Sequence, residues 1–321
     1  MPRPSGSVRI FRLAGIDVYL HWTWALVAWI QIQFRYRTYD QPAWALLEYV
    51  ALFVIVLMHE FGHALACRSV GGRAETILLW PLGGVAYVQP PQRPGAYLWS
   101  IVAGPLVNFL LLAPTCAAAY LVWHAPPGDG REFVIILAAI NLALLVFNLL
   151  PIYPLDGGQI LRAMIWFFAG PANSLLIASM LGLTISAAAL LVTLRLGELW
   201  LALMSGYAAY QSWIGFSMAR AWIRWQQLPR HAHAACPHCR ARPPVGALWT
   251  CQACRQPFDM VVTAGHCPHC GAAYDLIPCP ECKQAAAPLA WLGAAAATVD
   301  ASHGALPPAG IGHKVQPSSP G

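Results

Sequence analysis

His59, Glu60 and His63 are the residues of this chain best suited to chemistry. Two histidines four apart share one helix face, one turn from each other, so their imidazoles can close on a single metal ion. Glu60 stands beside them, placed to take a proton from a metal-bound water. They lie in "LMHEFGHALACR", directly after the run "VALFVIV". Ionisable groups at the end of a segment apolar enough to enter a bilayer are expensive and mark function. The alternative is a pair of buried histidines satisfied by neighbouring carbonyls, which leaves three ionisable groups at membrane depth without a use.

A catalytic zinc takes three protein ligands and keeps a fourth position open. Cys67 shares the helix face, but eight residues from His59 is about 12 Å along the axis, too far for ligand bonds of about 2 Å. "ALACRS" follows His63 and offers no nearby third histidine. Glu75 is a local option that opens an apolar loop. Asp156 in "NLLPIYPLDGG" is the stronger candidate, being the only carboxylate between 133 and 197. The Pro and Gly residues around it break a helix and can aim its side chain inward. Its alternative role is to cap the helix that starts at Gly157.

A second chemistry is written in cysteine. Eight of the ten cysteines form C-x-x-C pairs: Cys236/Cys239, Cys251/Cys254, Cys267/Cys270 and Cys279/Cys282. Two such pairs make a closed, structural tetrahedral zinc site that folds its module and does no chemistry. The simplest pairing is sequential, like a double zinc ribbon, with a cross-braced pairing left open. Disulfides are the alternative, disfavoured on a reducing cytoplasmic side. Cys67 and Cys116 fall in helices and read as small packing residues.

The elements that must position these groups are membrane helices. The 321 residues are 58% hydrophobic and 10% charged, against about 25% charged in a soluble domain. The net charge of +6 therefore reads as topology and not as nucleic-acid binding. The basic N-terminus lacks a cleavage site after a short apolar core and is not read as a removable signal peptide. Six segments are long and apolar enough to span: about 18–34, 43–67, 96–123, one from 133, 173–194 and 198–219. The fourth is interrupted by prolines and a Gly pair, which a membrane tolerates only against protein or a water-filled cavity. Arg3, Arg9 and Arg12, then Arg68, Arg73 and Arg93, then Arg220, Arg224 and Arg230 fall on one side, making both termini cytoplasmic. Arg35 and Arg37 argue against this, partly offset by Asp40 and Glu48. "ETILLWPLGGVAYVQPPQRPG" is β-prone and predicts a hairpin or re-entrant loop. The tail from about 285, rich in Ala, Pro and Gly, predicts disorder.

"HEFGH" with "NLLPIYPLDGG" resembles the site-2 protease family of intramembrane zinc metalloproteases. "LAGIDVYLHWTW", "PLGGVAYV" and "AGPLVNFLL" resemble the family's N-terminal stretch, its membrane-associated β segment and its Gly-Pro-x-x-Asn helix. The resemblance covers about 9–220. It implies six membrane helices around a three-helix catalytic core, with His59, His63 and Asp156 holding zinc and Glu60 as general base. It also implies Asn108 and Asn148 as groups that hold the substrate backbone or the oxyanion, against the alternative of interhelical hydrogen bonding.

The expected organisation is a membrane metalloprotease domain over 1–230, a double zinc ribbon over 231–284 and a disordered tail over 285–321. The expected function is zinc-dependent hydrolysis of a peptide bond in or near a transmembrane segment of a substrate protein. One catalytic and two structural Zn2+ ions are expected, as are a lipid bilayer, a cytoplasmic protein partner for the ribbons and no nucleic acid. The rival functions are a membrane metal transporter or sensor, which leaves Glu60 unexplained, and a protease-like scaffold that binds partners through its ribbons.

Overall fold

The computed structural model describes residues 6–35, 37–80 and 83–293. In chain order the elements are β1 (Ser7–Leu13), β2 (Ile16–His21), α1 (Thr23–Arg35), α2 (Pro42–Ser69), β3 (Arg73–Trp80), β4 (Gly83–Gln89), α3 (Pro94–Val122), α4 (Asp129–Asn148), α5 (Asp156–Leu196) and α6 (Leu199–Gln227). Short strands β5 (Trp249–Thr250), β6 (Pro257–Phe258), β7 (Ile277–Pro278) and β8 (Ala285–Ala286) follow, then α7 (Pro288–Gly293). The chain divides into two compact units, one holding 177–215 and everything up to Ala169, the other 170–176 and everything from Phe216.

Among the described residues, four helices are long and apolar enough to cross a membrane: α2, α3, α4 and α5. They carry large side chains on their outer faces. Phe109 and Leu110 are 61% and 63% exposed, an arrangement suited to lipid rather than water. Three expected spans differ: the sixth, α6, is long enough to cross but is not among the four that are also apolar enough. The segment expected to span from 18 to 34 is split, its first residues forming β2 and only the 13 of α1 being helical. Alternation explains this: Ile16 and Val18 face inward and are fully buried, while Asp17 and Tyr19 face out. The expected fifth span is continuous with the helix that starts at Asp156, apart from a break at Gly170, whose φ of 76° is non-helical and precedes Pro171.

The expected hairpin is present as β3 and β4, antiparallel, with Trp80 opposite Gly83. It belongs to a larger sheet than the sequence led us to expect, ordered β1-β2-β3-β4, with β2 and β3 parallel. Ile16, Val18, Ile77 and Leu79 pack with Val56, Ala64 and Cys67 of α2. Cys67 is therefore the packing residue expected of it; Cys116 is not, since it lies exposed on α3. At the other end of α2, Asp129 of α4 accepts from Asp40 N and Gln41 N at 2.9 and 3.0 Å. Those N–H groups directly precede the helix start at Pro42.

The second unit is built on four equivalent knuckles. In each, the first cysteine N–H bonds the carbonyl five residues on, and the residue after the second cysteine donates back: Cys236 N to Ala241 O, Arg240 N to Cys236 O, and likewise at Cys251, Cys267 and Cys279. That last residue has positive φ in all four, being Arg240, Arg255, Gly271 or Lys283. Trp249, Phe258, Met260, Ile277 and Trp291 form the core. Residues 285–293, expected to be disordered, instead form β8 and α7, because Trp291 is an apolar anchor only 1% exposed. The remainder of the expected tail lies outside the described residues.

Candidate active site

α2 carries His59, Glu60 and His63 on one buried face, and all three are 6% exposed. Asp156 is the first residue of α5, just past the break after α4. His59 Nε2 lies 3.0 Å from His63 Nε2, and Asp156 Oδ2 lies 3.0 and 3.4 Å from the two. The sequence therefore named three residues that the fold brings together, and Cys67 is not among them. Glu75, the other option, is exposed on β3 and outside the cluster.

The second nitrogen of each ring decides whether this cluster suits a metal. His63 Nδ1 meets the Ser100 carbonyl at 2.9 Å and must donate to it. His59 Nδ1 meets Asn108 Oδ1 at 2.6 Å. With both protons on Nδ1, both Nε2 atoms present lone pairs, so their 3.0 Å approach is no hydrogen bond between them. Asp156 Oδ2 is buried and likewise has no hydrogen-bond partner. Three lone-pair atoms thus converge. Ligand bonds of about 2.0–2.1 Å at a tetrahedral angle put ligand atoms about 3.3 Å apart, close to the spacings seen. The residues fit a zinc ion.

Two features of this arrangement were not legible in the sequence. Asn141 of α4, fully buried, donates from Nδ2 to the Asn108 backbone carbonyl at 3.0 Å and accepts from Asn108 Nδ2 at 2.9 Å. A backbone carbonyl can only accept, so Asn141 has one orientation, and it sets that of Asn108. Both ends of the Asn108 amide are consequently engaged, one with Asn141 and one with His59. This is the interhelical alternative considered for Asn108. Asn148 lies at the end of α4 on the cavity wall. The other feature is Gly104 of α3. A Cβ there would collide with His63 Nε2 and lie 2.8 Å from His59 Nε2, so only glycine lets α3 pass over the imidazoles. The signal was present in "AGPLVNFLL", but nothing in it says what the glycine faces.

Glu60 Oε2 accepts a 2.8 Å hydrogen bond from Ala86 N of β4. β4 is an edge strand, and an N–H spent on Glu60 points away from β3. The outer edge of β4 therefore runs beside Glu60. Ala86, Val88, Asn148 and the metal-ligand candidates line one cavity of about 650 Å³, which also takes in Trp200, Met204 and Tyr207 from α6.

The cysteines pair in neither of the ways considered. Cys236/Cys239 meet Cys279/Cys282, and Cys251/Cys254 meet Cys267/Cys270, so the inner pairs are nested within the outer. Their sulfurs stand 3.6–3.8 Å apart. A disulfide needs about 2.05 Å, whereas Zn–S bonds of about 2.3 Å at a tetrahedral angle put sulfurs about 3.75 Å apart. In the inner cluster the Tyr274 hydroxyl donates to Cys251 Sγ at 3.1 Å. That bond, helped by the Cys254 N–H, holds the Cys251 thiol well below its usual range.

A helical membrane-type fold with a buried His-His-Asp cluster beside a glutamate is the class that fold and site define. Comparison with known proteins narrows it. The model of Peptidase family M50 matches residues 48–129 and 124–193. A zinc metalloprotease of Methanocaldococcus jannaschii is 34% identical over 200 residues, 62% of this chain and 57% of that protein. The stage IV sporulation protein FB of Bacillus subtilis is 36% identical over 115 residues, 35% of this chain and 38% of that protein. The solved site-2 protease from Methanocaldococcus jannaschii superposes with a TM-score of 0.52 at 31% identity, covering 65% of this chain and 95% of that one. The chain belongs to the site-2 protease family, peptidase family M50. It spans little more than half the length of the first of these curated relatives (57%).

Proposed function

We propose that this protein is an intramembrane zinc metalloprotease that hydrolyses a peptide bond in or near a transmembrane segment of another protein. The observation that carries this reading is the convergence of His59 Nε2, His63 Nε2 and Asp156 Oδ2 beside Glu60. Those three atoms would hold the zinc, which supplies Lewis acidity toward a water and the scissile carbonyl. Glu60 is the general base. Its Oε2 is held by Ala86 N–H, leaving Oε1 to take a proton from the water and pass it to the leaving amine. Asn108 orients His59, and Asn148 is the amide on the cavity wall that meets the substrate backbone.

A helical substrate hides its carbonyls in its own hydrogen bonds and must unwind to be cut. The outer edge of β4 offers an unwound segment main-chain partners beside Glu60. We assign six crossings: α1, α2, α3, α4 with the first part of α5, the part of α5 beyond Gly170, and α6. Both termini are assigned to the cytoplasm. The Arg35 that argued otherwise is ion-paired with buried Glu48 at 3.1 Å, which offsets its charge. The membrane protease domain occupies 1–230 and the zinc-ribbon module runs from 231 to 293. The module holds two structural zinc ions in addition to the catalytic one and meets a cytoplasmic partner.

The test is incubation of purified protein with single-span substrates, with and without a chelator, beside the Glu60→Gln variant. Cleavage that needs both metal and Glu60 is expected. Cleavage indifferent to either would overturn the reading.

A further inference from the structure

Asp156 sits 93 residues beyond His63, on a stretch where the helix is broken. A ligand on such a stretch needs its backbone held to within about 0.5 Å, and freed backbone groups in a membrane need partners. Some restraint is local: Leu155 N bonds Ile152 O at 2.8 Å, and Gln159 Nε2 bonds Pro154 O at 2.9 Å. The rest comes from α5 and α6. Ser212 Oγ of α6 donates to the Tyr153 carbonyl at 2.5 Å. A Cβ on Gly215 would lie 2.6 Å from Tyr153 Cε1 and 3.0 Å from Cδ1. A Cβ on Gly182 of α5 would lie 2.7 Å from Tyr153 N and 2.8 Å from Ser212 Oγ. Absent side chains at 182 and 215 thus make a slot shaped to this one residue, and a hydroxyl closes it.

We propose that Tyr153 is a positioning residue for Asp156, seated in a slot formed by Gly182, Ser212 and Gly215. α5 and α6 thereby do more than wall the cavity: they lock the third metal ligand in place. This rests on the assignment of Asp156 as a ligand. Gly215 meets the ring of Tyr153 at Cε1 and Cδ1.

The test uses the full chain and two readouts. The first is zinc retention at the membrane site against a chelator, with Asp156→Ala as the reference for a lost ligand and the ribbon zinc as internal standard. Gly215→Ala should speed zinc loss about 10-fold or more, the usual scale for losing a group that orients a ligand. Tyr153→Phe should match the unaltered chain. Tyr153→Ala should weaken retention, and adding Gly215→Ala to it should cost nothing further, because the ring it strikes is gone. The second readout needs no metal: the alkylation rate at position 156 in Asp156→Cys, resolved by mass spectrometry. Gly215→Ala should raise that rate several-fold. If Asp156→Ala keeps full zinc while Gly215→Ala still speeds alkylation, the ligand assignment fails and the slot stands. Additive losses in the double variant, or an unchanged alkylation rate, overturn the slot.

Discussion

Asn141 and Asn108 exchange hydrogen bonds across α4 and α3, and through that exchange Asn141, which touches no ring itself, sets the tautomer of His59. Removing a group that orients a ligand costs about 10–100-fold in metal affinity. Asn141→Ala should therefore release the membrane zinc about 10-fold faster to a chelator while leaving the ribbon zinc unaffected. Unchanged release would mean that His59 holds its tautomer without Asn108.

Glu60→Gln keeps the side-chain shape and an oxygen for Ala86 N–H, but it has no base. The variant should fold, keep its zinc and lose cleavage by about 10²-fold or more. Cleavage within a few-fold of the parent rate, measured on a single-span substrate, would remove Glu60 from the mechanism.

Gly104→Ala removes no ligand. Its Cβ would nonetheless occupy the space of His63 Nε2 and press on His59 Nε2. Metal analysis should find the membrane zinc absent and the ribbon zinc retained. Full zinc content would mean that α3 can shift without loss of the site.

Nested pairing has a distinct consequence for the ribbons. In the double variant Cys279→Ser with Cys282→Ser, Cys236 and Cys239 should become open to alkylation, while Cys251, Cys254, Cys267 and Cys270 stay protected by their own zinc. Sequential pairing would instead expose Cys267 and Cys270, and mass spectrometry separates the two outcomes.

Tyr274→Phe removes the hydroxyl that donates to Cys251 Sγ. The inner zinc should then exchange faster, by about 10-fold, with the outer zinc unchanged. Equal rates at both clusters would leave Tyr274 as packing alone.

What the sequence determined by itself was local chemistry. A four-residue spacing puts His59 and His63 on one helix face whatever surrounds them, because the helix period is intrinsic to the backbone. Asp156 was legible because no other carboxylate lies between 133 and 197. The four knuckles were legible because each closes on its own six residues. The tertiary structure decided everything that depends on which segments meet. The knuckles are locally equivalent, so nothing within any one of them ranks its partners, and the nested pairing follows only from how the chain reverses. β2 reads as the start of a helix until β3 supplies the parallel neighbour that satisfies its backbone. Asn141 and Tyr153 carry no signal of their own in one chain, and Gly104 stands in a legible motif that does not say what it faces, since an amide, a ring or a missing side chain gains its role from the atom placed against it.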